Sequence, residues 1–226
     1  MEKIKKLLYN YKYEVLLYAL IQHLFIGILF NNMSESIKII WPFTIFFLCF
    51  SCIGVFMTKS KWKNHLTNGI SIFVLATTIF ALFFVKNDDY KTSIGLVYVL
   101  FFVFIFVEIF NFLLKPSYIN GDIISAAACG YFLLIEISVF LLQTHYYKNP
   151  DSFNGLDSSN PFGTFIDLVY FCCITFSSIG FGDITPNNQQ TKLFTALIGV
   201  IGQFYSVVLV GILISKFASK TLTKPK

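Results

Sequence analysis

Six long apolar runs constrain this chain more than any other feature: residues 15–30, 37–57, 66–85, 94–114, 123–143 and 193–214. Each approaches the roughly 20 residues that a helix needs to cross about 30 Å of hydrocarbon. Inside a bilayer no water pairs with the backbone, so a spanning run must close its hydrogen bonds within itself as a helix. Of 226 residues, 56% are hydrophobic and 13% charged, too apolar a balance for a water-soluble domain of this length. The expectation is an all-α, multi-pass membrane protein with six spans. A further apolar run, 165–176, is too short to cross, and it falls between the fifth and sixth runs, where a re-entrant helix belongs.

Charge placement orients these spans. With the N-terminus in the cytoplasm, the inner segments hold Lys3, Lys5, Lys6, Lys12, Lys59, Lys61, Lys63, Lys115, Lys216, Lys220, Lys224 and Lys226. The outer segments hold Lys38, Lys86, Lys91, Lys148 and Lys192, a ratio of twelve to five. That positive-inside bias predicts a plasma-membrane protein, the inner membrane if bacterial, with both termini cytoplasmic and the 144–192 segment outside. The net charge of +5 then reads as topology and contact with anionic lipid rather than nucleic-acid binding. The first run is too long for a cleaved signal peptide, and no small-residue cleavage site follows it.

One polar, glycine-rich stretch interrupts this apolar background: Ser178-Ile179-Gly180-Phe181-Gly182-Asp183, between the short run and the last long one. Read with its flanks, Thr175-Phe176-Ser177-Ser178-Ile179-Gly180-Phe181-Gly182-Asp183 resembles the filter signature of the potassium channel family. That signature reads Thr-x-x-Thr-Val-Gly-Tyr-Gly-Asp, with Ser for Thr, Ile for Val and Phe for Tyr in this chain. The resemblance implies a six-span channel with a single pore loop. Residues 1–121 would form a four-helix peripheral domain, and 122–226 a two-helix pore module with a re-entrant pore helix. One filter strand cannot encircle an ion, so a homotetramer is implied.

The chemistry suits these residue types. A dehydrated potassium ion needs its water shell replaced by rings of oxygens, which carbonyls aimed at one axis supply. Such a backbone uses left-handed angles that a Cβ disfavours, hence Gly180 and Gly182. Ser178, Ile179, Gly180 and Phe181 would supply the ion-facing oxygens, with Ile179 and Phe181 turning their side chains backward to brace the strand. Thr175 and Gly182 would support the filter, and Asp183 would concentrate cations at the outer mouth. Phe181 lacks the hydroxyl that commonly ties this filter to pore-helix aromatics, and Ile174 offers no carboxylate behind it. The 144–163 segment has the polar composition of a solvated turret, and Thr164 followed by Asp167 reads as the N-cap of the pore helix.

In the last run, Gly202 lies where the resembling family often has a hinge glycine. Gln203, Ser206 and Val210 follow at helical spacing, either facing a water-filled vestibule or packing between helices. The chain contains no arginine, and 94–114 carries Glu108 but no base, so it is poorly equipped to move charge through the membrane field. His23, Glu108 and Glu136 lie deep in apolar runs. They are expected to pair, to be protonated or to face water, as contacts that orient helices or as proton sensors. Cys49, Cys52, Cys129, Cys172 and Cys173 read as packing residues. No cofactor is expected beyond the permeant ion, and the partners are potassium ions, lipid and copies of the same chain. The functional expectation is a potassium-selective channel; the alternatives are a weakly selective cation channel or a non-conducting regulatory subunit. No nucleophile-base pair or metal constellation points to an enzyme.

Overall fold

A computed structural model describes residues 8–29, 37–56, 61–84, 88–114, 121–156 and 161–222. The helices are α1 (Lys12–Phe25, continued by a 3-10 turn, Ile26–Leu29), α2 (Ile37–Phe56), α3 (Lys61–Phe84), α4 (Asp88–Leu113), α5 (Gly121–Lys148), α6 (Pro161–Phe176) and α7 (Gln189–Leu222). Two short strands, β1 (Phe153–Asn154) and β2 (Thr185–Pro186), pair antiparallel, with Phe153 opposite Pro186 and Asn154 opposite Thr185.

Among the described residues, four helices are long and apolar enough to cross a membrane: Lys12–Leu29, Tyr90–Leu113, Gly121–Lys148 and Gln189–Gly211. The six-span plan, with four peripheral and two pore helices, is corrected accordingly. The chain is an all-α, multi-pass membrane protein with four such helices among its described residues. Runs 37–57 and 66–85 account for the difference. The first lies in α2, where Ile40–Phe56 is a shorter apolar stretch outside those four. The second begins in α3 among Lys63, Asn64, His65, Thr67 and Asn68, and it carries Ser71, Thr77 and Thr78 further along.

α5 is the hub. It makes the most extensive helix contact with α4 and also touches α1, α6 and α7. Its buried residues, among them Ala126, Cys129, Leu133, Glu136, Val139, Phe140 and Gln143, face several directions, as expected of a helix surrounded by others. Three buried hydroxyls are satisfied within their own helices: Ser51 donates to the Leu48 carbonyl, Ser138 to Leu134 and Thr144 to Phe140. The Tyr205 hydroxyl instead crosses between helices, donating to the Ala127 carbonyl at 2.9 Å. Gly130 makes that crossing feasible, because a Cβ there would lie 2.0 Å from the Tyr205 oxygen. α7 is the least covered of the four long helices, with 17% of its crossing segment buried against 61% for α5.

Candidate functional site

The site is built at the C-terminal end of α6. This helix starts at Pro161, whose missing N–H and fixed φ suit a first helical position. Thr164 therefore lies one turn inside the helix, buried, and not at its cap. Phe165, Leu168, Phe171 and Cys172 seat α6 in the core. After Phe176 the chain unwinds: Ser177 N–H still donates to the Cys173 carbonyl at 3.0 Å, and Ser178 N–H to Thr175 at 3.1 Å.

The next residues alternate in hand. Ser178 has φ 59°, Gly180 φ 54° and Gly182 φ 82°, and Ser178 is the sole non-glycine residue with positive φ among the described residues. The N–H groups of Ile179 and Gly180 both turn back to the Ile174 carbonyl, at 2.9 and 3.3 Å. With the amides tied to the helix end, the carbonyls of Ser178, Ile179, Gly180 and Phe181 accept no hydrogen bond among the described residues. The strand thus offers a row of unused, strongly dipolar oxygens, which is what cation coordination requires. The Ile179 and Phe181 side chains, expected to brace the strand from behind, are 57% and 71% exposed in the single chain.

The outer end of this strand is pinned from two sides. The Tyr170 hydroxyl donates to Asp183 Oδ2 at 2.7 Å, and this bond holds the Asp183 carboxyl below the usual carboxylate range. On the other side, the turret is anchored at its middle. Phe153 is buried against Phe171, and the Ser152 carbonyl accepts from Asn187 N–H at 2.8 Å and from the Thr191 hydroxyl at 2.9 Å. Gly155, at φ 84°, passes so close that a Cβ would lie 2.3 Å from the Asp183 carbonyl. Composition alone read this segment as solvated. A tyrosine in the largely apolar α6 was the available signal for the Asp183 contact, since a tyrosine hydroxyl in such a setting seeks a partner.

The Asp183 contact has a testable pH signature. A depressed carboxyl pKa contributes stability that is complete above the ordinary carboxylate pKa and is lost as pH falls through the lowered value. Tyr170→Phe is expected to move protonation of Asp183 upward to the ordinary range, as read by NMR titration of its carboxyl carbon. An unmoved titration would show that Tyr170 does not hold this charge.

Below the strand, α7 lines a cavity of about 560 Å³ with Thr175, Ser178, Ala196, Gly199, Val200, Gln203, Phe204 and Val207. Of the expected inner residues, Gln203 faces this cavity. Gly202 points at Phe176, where a Cβ would meet the ring at 2.7 Å; Ser206 bonds back to the Gly202 carbonyl at 3.0 Å; Val210 is exposed two turns beyond Gln203 on the same face.

The deep polar residues sort into two pairs. His23 and Glu136 are fully buried, with Nδ1 and Oε1 2.7 Å apart. The imidazole lies among the rings of Trp41, Phe102, Phe140 and Phe165, the last belonging to α6. Glu108 pairs with Lys63 of α3. Sequence placed all three acids and bases in apolar runs, but which partner each meets depends on helix packing.

Comparison with known proteins bears on this geometry. Residues 128–219 match a family model described as an ion channel. The chain is 38% identical over 80 residues to Two-pore potassium channel 2 of Arabidopsis thaliana, covering 35% of this chain and 17% of that protein. It is 33% identical over 99 residues to Two-pore potassium channel 5 of the same plant, covering 43% and 22%, and 35% identical over 81 residues to Two-pore potassium channel 3, covering 35% and 18%. The chain therefore spans about a fifth of the length of these relatives. No solved structure matches. These relatives are two-pore channels by name, which overturns the expected kinship with six-span channels of a single pore loop; this chain holds one filter-like sequence, Ser178 to Asp183. The matched segment, 128–219, takes in the filter-like strand and both helices that flank it, and its likeness is to channel proteins, which transport rather than catalyse.

Proposed function

We propose that the chain conducts potassium ions passively and selectively across the plasma membrane, with both termini in the cytoplasm. Ions shed water and step between oxygens of Ser178, Ile179, Gly180 and Phe181, with Thr175, Gly182 and Asp183 supporting the strand and its outer mouth. Gly202, Gln203, Ser206 and Val210 belong to the inner helix below. Residues 122–226 carry conduction and 1–121 flank it.

The observation that carries this reading is the row of unpaired carbonyls, created by alternating hand at Ser178, Gly180 and Gly182 while the amides are tied back to Ile174. One strand cannot surround an ion, so four copies around one axis are required. The sparse cover of α7 and the exposure of Ile179 and Phe181 fit an assembly in which neighbours pack there. Liposomes loaded with potassium and containing this protein alone test the reading. Potassium efflux that sodium does not reproduce is expected, and the absence of any flux from a correctly assembled preparation would contradict it.

A further inference from the structure

We propose that Gln203 is a positioning residue for the inner end of the filter, its side-chain amide holding Ser178 in place and coupling α7 to the innermost ion-facing oxygens. The inference rests on the filter reading above. Gln203 Nε2 donates to the Ser178 hydroxyl and, at 3.3 Å, to the Phe176 carbonyl. A glutamine on a water-lined face needs no protein partner, yet both donors of this amide are spent on the entrance to the strand.

Two features of the chain make that clasp consequential. Ser178 adopts a left-handed backbone at φ 59° despite its Cβ, a conformation that persists only where the surroundings hold it. Here the Gln203 amide fixes the side chain of that residue, and Ile174 and Thr175 fix the neighbouring amides. The adjacent residue of α7 grips the same place from another direction, since Gly202 receives the Phe176 ring so closely that a Cβ would lie 2.7 Å from it. Ring and carbonyl of Phe176 are thus both seated on α7 by consecutive residues. A rotation or slide of α7 breaks the amide contact and lifts the ring together, so helix displacement reaches the filter and not just the cavity beneath it.

A double-mutant cycle tests this. Gln203→Met keeps the bulk and removes the donors, and Ser178→Ala removes the acceptor. Each is expected to lower the potassium-over-sodium permeability ratio about tenfold, and the double variant to lower it no further than either alone. Independent losses that multiply in the double variant, or an unchanged ratio in Gln203→Met, would overturn the proposal. A second readout does not depend on conduction: amide hydrogen exchange across residues 174–182 in the purified protein should quicken in Gln203→Met. Unchanged exchange there would also overturn the positioning role. Absence of potassium-selective flux in the unaltered protein would instead count against the filter reading, leaving the exchange result to decide the clasp.

Discussion

Alanine at Gly180 or Gly182 is expected to reduce potassium flux by about a hundredfold or more, because the cost per strand is multiplied by the number of strands. No atom lies within 4 Å of a Cβ built at either position, so neighbours do not forbid the side chain. The penalty comes from the backbone, at φ 54° and 82°, where an L-residue costs about 1–2 kcal/mol. In one strand that loss is modest. Around an axis of four strands it sums to about 4–8 kcal/mol, enough to favour a flipped peptide that turns a carbonyl away from the ion path. Ser178 is the informative contrast: it bears a Cβ at φ 59° but has the Gln203 amide to hold it, whereas Gly180 has no such side-chain anchor. Flux from liposomes bearing each alanine variant, compared with the unaltered protein at equal protein content, measures the effect. Preserved potassium-selective flux in both variants would remove the filter from these residues.

His23→Leu is expected to destabilise the fold by about 3–5 kcal/mol, because it strands the buried Glu136 carboxyl without its partner. Both groups are fully buried, so water does not compensate. For a chain of this length the loss corresponds to a fall in melting temperature of roughly 10 °C. Replacing both residues together, His23→Leu with Glu136→Leu, should recover most of that stability, since a well-packed apolar pair substitutes for a buried hydrogen-bonded one at little net cost. Thermal unfolding of the purified single and double variants in one detergent distinguishes the outcomes. A double variant that loses the sum of both single effects would show that each side chain acts through other contacts. The pair joins α1 to α5, and the His23 ring also lies 5.5 Å from that of Phe165, so a loosened pair is felt by the helix that presents the filter.

How much of this was legible in the sequence varies with the range of the interaction involved. The backbone of the filter-like strand was readable because it is dictated locally: glycines at 180 and 182 mark positive φ whatever surrounds them. The short run ending at Phe176 was readable as a helix because its apolar length is too small to cross and too long for a turn. Span number was not: 37–57 and 66–85 are apolar in composition, yet neither is among the four described helices long and apolar enough to cross a membrane. The start of α6 was displaced by Pro161, whose preference for a first helical position outweighed the capping pattern at Thr164. The contacts that fix the site, Tyr170 to Asp183, Ser152 to Asn187 and Thr191, and Gln203 to Ser178, join residues well separated along the chain. No periodicity encodes them. The cavity face of α7 holds Gly199, Val200, Gln203 and Val207, the face on which helical spacing also places Val210.

The most direct test of the central claim is the reversal potential of currents from this protein alone in a planar bilayer, with potassium chloride on one side and sodium chloride on the other. Oxygens of Ser178 to Phe181 that replace the hydration shell of potassium predict a reversal potential displaced far toward the potassium equilibrium potential, and loss of that displacement in Gly180→Ala. Sustained current reversing near zero would contradict selective coordination by this strand, and a persistent absence of current would contradict conduction by the chain itself.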